Sequence, residues 1–232
     1  YLSDSYRDIS FARKHKISHL YIIPNGVDER EFALVENLDR GILRAKYAIP
    51  KNNRIILCIS NHTGQKGHRE AIAAFNKAKI TDSSLVFVGD INPYGGCYNS
   101  CLHASRISKL TKCISNTRKT IHVIKCSRKE TLELLFSSDL FMFLSNIECS
   151  PLVLYEASAA SLPVLSSSAG NSREIFKWLG NGKIVSGEKT KMGYLKPSIA
   201  KAVSYLEEII NNYNYYQKKS LKARNIVMSK YT

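Results

Sequence analysis

The stretch Asp139-Leu-Phe-Met-Phe-Leu-Ser145-Asn-Ile-Glu148-Cys-Ser150-Pro151-Leu-Val-Leu-Tyr-Glu156 holds a strand, a turn and a helix start in immediate succession. Leu140–Leu144 is an apolar run of strand length, with an acid before it and a serine after it. Having no polar residue to turn toward water, it suits a strand buried on both faces of a sheet. Ser150 is a good N-cap, and Pro151 suits the first helical position, where its absent N–H costs nothing. The segment after it, Leu152-Val-Leu-Tyr-Glu-Ala-Ser-Ala-Ala, is apolar enough to be mostly buried. A buried strand feeding a buried helix through a short polar loop is the repeating unit of an α/β domain.

The alternation extends in both directions. Leu20–Pro24, Arg54–Ser60, Ser84–Gly89, Thr120–Lys125, Pro163–Ser167 and Lys183–Val185 read as further strands. Between them, Lys66–Lys79 sets Ala71, Ile72, Ala74, Phe75 and Ala78 on one helical stripe. Ser127-Arg-Lys-Glu130 and Asn171-Ser-Arg-Glu174 have capping-box spacing ahead of apolar runs. Pro197–Tyr213 reads as a longer amphipathic helix. Residues 90–119 are the least regular, a loop plus one helix between strands. The predicted fold is α/β, a doubly wound Rossmann-like parallel sheet.

Composition agrees. The 232 residues are 44% apolar and 23% charged, enough to build a sizeable core. No apolar run approaches the roughly 18–20 residues of a membrane helix, and no secretory signal is read. The expected location is the cytoplasm, or the cytoplasmic face of a membrane. Opening on Tyr1-Leu2-Ser3-Asp4 without Met, the chain is expected to be a piece of something longer.

Thirty-four basic and nineteen acidic residues give a net charge of +15. Residues 100–129 carry eight Lys or Arg and no acid. Nucleic acid, an anionic membrane surface or a phosphate-bearing small molecule all fit such a charge. A solvated basic face accounts for it equally well.

Six cysteines, too sparse for a disulfide framework, read as reduced thiols. Cys97-x3-Cys101-x-His103, with Cys113 downstream, has metal-ligand residue types. Its spacings match no common zinc module, so these cysteines are predicted to be free thiols without metal.

In doubly wound sheets, ligands bind beyond the carboxyl ends of the strands. Three loops lie there. In Ser60-Asn-His-Thr-Gly-Gln-Lys66-Gly67, the glycines allow close backbone approach and Lys66 can meet a phosphate at the following helix start. In Ser145–Glu156, the amides of Leu152 and Val153 at the helix N-terminus favour a diphosphate. Glu148 and Glu156 can reach opposite ends of a ligand lying across that terminus. Glu156 sits in an apolar helix and needs a partner. Ser166-Ser-Ser-Ala-Gly170-Asn171 is the third loop, equally explained by helix capping alone.

Taken together, these motifs resemble the retaining glycosyltransferases of the large family 4 group, which have the two-domain GT-B fold. The Glu148-x7-Glu156 pair resembles that group's two-glutamate signature. Ile23-Pro-Asn-Gly-Val-Asp28, Lys66-Gly67, Leu85-Val-Phe-Val-Gly-Asp90, Ser138–Ser145, Leu162-Pro-Val-Leu and Gly170-Asn-Ser-Arg-Glu-Ile175 follow in the family's order. The resemblance covers roughly residues 18–210. It implies the C-terminal half of a GT-B fold, which holds a nucleotide-sugar donor and needs no cofactor and no metal. Lys66 would contact the donor diphosphate, with Gly67 beside it and the Leu152 and Val153 amides behind Ser150. Glu156 would bind the ribose hydroxyls and Glu148 the transferred sugar. Asn61 stands where the family usually has an Arg.

On this reading, residues 1–23 are the last element of an N-terminal acceptor domain, 24–212 the nucleotide-sugar-binding domain, and 213–232 a basic C-terminal helix. The expected partners are a nucleotide sugar and a glycan or lipid-linked acceptor, with peripheral membrane contact and without nucleic acid. The alternative is a noncatalytic basic α/β module binding nucleic acid or another polyanion. It lacks the aromatic-basic motifs of common RNA readers. An epimerase of the same fold is disfavoured by the glutamate spacing.

Overall fold

The structure, a computed structural model, describes residues 2–3, 9–35, 39–92, 96–111 and 118–232. The chain opens with β1 (Leu2–Ser3), α1 (Ile9–Lys14) and β2 (Tyr21–Ile22), and β1 pairs with β2 in parallel. The short helices α2 (Glu29–Ala33) and α3 (Arg40–Lys46) follow. Strands and helices then alternate as β3 (Arg54–Ile59), α4 (His68–Lys77), β4 (Ser83–Val88), α5 (Tyr98–Thr111), β5 (Thr120–Ile124), α6 (Arg128–Ser137), β6 (Leu140–Phe143), α7 (Leu152–Ala159), β7 (Val164–Ser167), α8 (Ser172–Leu179) and β8 (Gly182–Val185). A hairpin of β9 (Gly187–Lys189) and β10 (Leu195–Pro197) precedes α9 (Ile199–Asn211) and α10 (Tyr213–Lys230).

The main sheet is parallel and six-stranded, in the order β5-β4-β3-β6-β7-β8. The chain winds outward from β3 to β5, returns to the other side of β3 as β6, and winds outward again. The crevice beyond β3 and β6 is therefore the switch point at which such folds bind ligands.

Side chains alternate across a strand, so the two faces of β3 feed two cores. Ile55 and Leu57 pack with Phe32, Leu132, Phe141, Tyr155 and Val227. Ile56 and Cys58 pack with Ala71, Phe75, Met142 and Leu206. Helices cover both faces, and for that reason the strand sequences are continuously apolar. The Leu20–Pro24 run differs: it supplies only β2, outside the main sheet, with Tyr21 exposed. The predicted Ser127–Glu130 capping box is formed, with Ser127 and Glu130 each bonding the other's backbone N–H.

α10 runs back across α7 and α8 and contributes Ala223 and Val227 to the core. Beyond it, the Tyr231 carbonyl accepts a 2.7 Å bond from the Val27 N–H. Gly26 permits this closure, since a Cβ there would lie 2.2 Å from that carbonyl oxygen. Part of the basic cluster is structural as well. Lys119 Nζ donates to the Phe75 carbonyl (2.8 Å) and to that of Ala78, closing the C-terminus of α4, where a cation is favoured. Arg118 pairs with Asp82 at 2.9 Å. Cys113 and Lys112 lie outside the described residues. No helix among the described residues is long and apolar enough to cross a membrane.

Candidate active site

Three loops meet beyond the switch point, after β3, β6 and β7. Gly67 brings the first against the second. Its φ is 76°, and a Cβ there would fall 2.0 Å from the Leu144 carbonyl oxygen, so a side chain would push the loop off the end of β6. The Asn146 N–H donates to the Gln65 carbonyl (2.9 Å), and Asn146 Nδ2 donates to Glu70 (2.9 Å). So held, Lys66 Nζ lies 2.7 Å from Glu148 Oε1 and 3.5 Å from the Ile147 carbonyl. Two candidate residues 82 apart in sequence form one ion pair.

The third loop joins through Gly170, whose φ is 60°. The Asn171 N–H donates to the Cys149 carbonyl (2.9 Å), and Asn171 Nδ2 donates to Ser150 Oγ (3.0 Å). Two capping expectations are corrected here. α7 begins at Leu152 with Pro151 as its N-cap, one residue later than predicted, and no side chain caps it. Asn171 stands at the N-cap of α8 but makes no side-chain capping bond, and its Nδ2 donates to Ser150. Ser150 acts as a knot between loops: its hydroxyl accepts from Asn171 and its carbonyl from Asn25 Nδ2 (3.0 Å). The first amides of α7, Leu152 and Val153, are left without a side-chain cap, at the positive end of the helix.

Glu156 lies one turn inside α7 and is 4% exposed. Its partner is Arg128, with Nη1 2.7 Å from Glu156 Oε1 and Nη2 2.8 Å from Glu31 Oε2. Burial works against the Arg128 charge, but the hydrogen bonds to Glu31 and Glu156 outweigh it and raise the guanidinium above its ordinary value. The sequence showed that Glu156 needs a partner but not which one, and Arg128 stood there only in the basic cluster and the Ser127–Glu130 capping box. Asn61 is exposed, and its Oδ1 accepts from the Asp90 N–H (3.2 Å), tying the ends of β3 and β4 together.

The assembled site offers an ammonium, an uncapped helix N-terminus and two carboxylates at different depths. This suits a ligand with an anionic centre and hydroxyl-rich flanks. The groove of about 590 Å³ lined by Phe75, His103 and Lys119 opens at the other end of the sheet and includes none of these residues.

Comparisons with known proteins bear on the family and the fold. Residues 39–223 match the family described as Glycosyl transferases group 1. N-acetyl-alpha-D-glucosaminyl L-malate synthase from Bacillus anthracis is 26% identical over 155 residues, which make up 66% of this chain and 36% of that protein. Among solved structures, Anabaena HepE in complex with UDP superposes with a TM-score of 0.77 at 18% identity, covering 99% of this chain and 59% of that one. The C-terminal domain of the group 1 family protein LpcC from Francisella tularensis superposes with a TM-score of 0.62 at 20% identity, covering 89% and 99%. The chain thus spans about a third of the curated relative's length.

Proposed function

The chain belongs to the group 1 glycosyl transferases and has the parallel α/β sheet of GT-B structures, and on that premise we propose that it is the donor-binding, C-terminal half of a retaining glycosyltransferase of the family 4 group. The donor is a nucleoside diphosphate sugar, and an N-terminal domain holds a glycan or lipid-linked acceptor. The observation that carries this reading is the Lys66–Glu148 pair at the uncapped start of α7, with Glu156 held one turn below.

In this reading the diphosphate lies across the α7 N-terminus. Lys66 binds it, the Leu152 and Val153 amides contact the distal phosphate, and Gly67 lets the backbone come close. Glu156, held in place by Arg128, accepts hydrogen bonds from the ribose hydroxyls. Glu148 leaves Lys66 for the hydroxyls of the transferred sugar. As the glycosidic bond breaks, negative charge grows on the departing diphosphate, where Lys66 and the helix amides are already in place. The sugar passes through an oxocarbenium-like state and is attacked on the face the leaving group departs from. Asn61 adds no charge, so Lys66 carries the electrostatic stabilisation in this loop, and no metal takes part in the transfer.

Titration calorimetry with a panel of nucleoside diphosphates tests the proposal. One of them is expected to bind, and Lys66→Ala to weaken it about tenfold or more, as loss of a charge-assisted bond of about 1.5–3 kcal/mol requires. Binding of a salt-sensitive oligonucleotide, with no nucleoside diphosphate bound, would instead favour the polyanion-binding module.

A further inference from the structure

His62, His68, Cys97 and Cys101 are buried to 1% exposure or less, and the proposed transfer uses none of them. They come from three segments: the loop after β3, the first residue of α4, and the start of α5. Gly96 brings the last segment in, since a Cβ there would fall 1.8 Å from the His62 carbonyl oxygen. The two imidazoles stack with centroids 4.3 Å apart. Ligand-type atoms of His62, His68 and Cys97 all lie within 4.8 Å of one another.

Two further observations point to an occupant. His68 Nδ1 is buried with no hydrogen-bond partner. A buried polar atom left unpaired is costly, and native interiors hold few. Cys97 Sγ lies 3.6 Å from His62 Nδ1. Zinc–nitrogen bonds of about 2.0–2.1 Å and zinc–sulfur bonds of about 2.3 Å at a tetrahedral angle separate the two ligand atoms by about 3.6 Å. His68 Nε2 meets Ser60 Oγ at 3.3 Å, the kind of outer hydrogen bond that orients a metal-bound imidazole.

We propose that His62, His68 and Cys97 hold a zinc ion that fastens the Lys66 loop to α5. Two imidazoles and a thiolate are a soft set that prefers zinc to magnesium or calcium. All three side chains are buried and none belongs to the proposed transfer, so the role is structural. The Cys97 thiol loses its proton to solvent as its sulfur bonds the metal. On this proposal Cys97 is a metal ligand, where the sequence reading expects a free thiol. Short-range spacing missed the site because its histidines precede Cys97 by 35 and 29 positions. His103, the nearby candidate, lines the groove at the far end of the sheet.

The test is metal analysis of this chain, prepared without a histidine tag and without chelator, followed by cobalt substitution. Stoichiometric zinc is expected. The cobalt form should show visible ligand-field bands and a thiolate-to-metal band. Cys97→Ser should lose the metal and His103→Ala should keep it. A strong chelator should lower the Tm, and added zinc should restore it. If the reduced wild-type chain takes up neither zinc nor cobalt on titration, the site does not exist. That measurement decides the matter even where Cys97→Ser fails to fold. Wild-type zinc affinity in a folded Cys97→Ser would equally overturn the assignment.

Discussion

Arg128→Gln removes the cation beside Glu156 and leaves a carboxylate whose side chain is only 5% exposed. Losing the partner of a fully buried charge costs about 3–5 kcal/mol, whereas an exposed pair contributes about 0.2–1 kcal/mol. Here the acid is buried and the base is 46% exposed, at a separation of 2.7 Å. The loss should fall between the two limits, at about 2 kcal/mol. For a domain of this size that corresponds to about 4–8 °C in Tm. The sharper test is rescue. Arg128→Gln with Glu156→Gln replaces an orphaned charge by two neutral amides, so the double variant should be more stable than Arg128→Gln alone. The coupling energy should be about 1 kcal/mol or more, measured by urea unfolding at constant m-value. Glu31→Gln is the control, because Arg128 also bonds that more exposed acid. The reasoning fails if Arg128→Gln unfolds within about 0.5 kcal/mol of wild type, or if the second substitution brings no recovery.

Other outcomes can be checked alongside. Glu156→Gln should weaken the cognate nucleoside diphosphate about tenfold or more, since one charge-assisted acceptor is lost; calorimetry reads it, and unchanged affinity in folded protein would remove Glu156 from the ribose. Glu148→Gln should bind the same ligand almost normally while transfer by the complete two-domain enzyme collapses, because the lost contact is to the reacting sugar. Gly67→Ala puts a Cβ 2.0 Å from the Leu144 carbonyl oxygen at a φ of 76°, so it should lower both stability and nucleotide affinity by moving Lys66 away from Glu148. Glu130 is held at about 2, against an ordinary 4.5, first by its hydrogen bond with Lys46 and then by those with Ser127. Its stabilising effect is complete above pH 4.5 and fades as pH falls through about 2. Thermal unfolding of wild type and Glu130→Gln should therefore converge as the pH is lowered through that window; a constant Tm gap would contradict it.

The continuous apolar runs and the helical stripes between them fixed the fold class locally, because burial on both faces of a parallel sheet leaves its mark on every residue of a strand. Lys66, Gly67, Glu148 and Ser150 could be picked out for a similar reason: each stands where a strand ends and a helix begins, a boundary written in neighbouring residues, while Glu156 stood out as an acid within an apolar helix. What the sequence left open was which side chains pair across distant segments. That Lys66 meets Glu148, that Arg128 rather than another member of the basic cluster neutralises Glu156, and that Asn171 serves Ser150 instead of its own helix all follow from strand order. Strand order depends on contacts between residues far apart in the chain, and no local pattern encodes them. The grouping of His62 and His68 with Cys97 is the extreme case: the residues become neighbours only once β3 and β4 pair and carry their loops to the same edge.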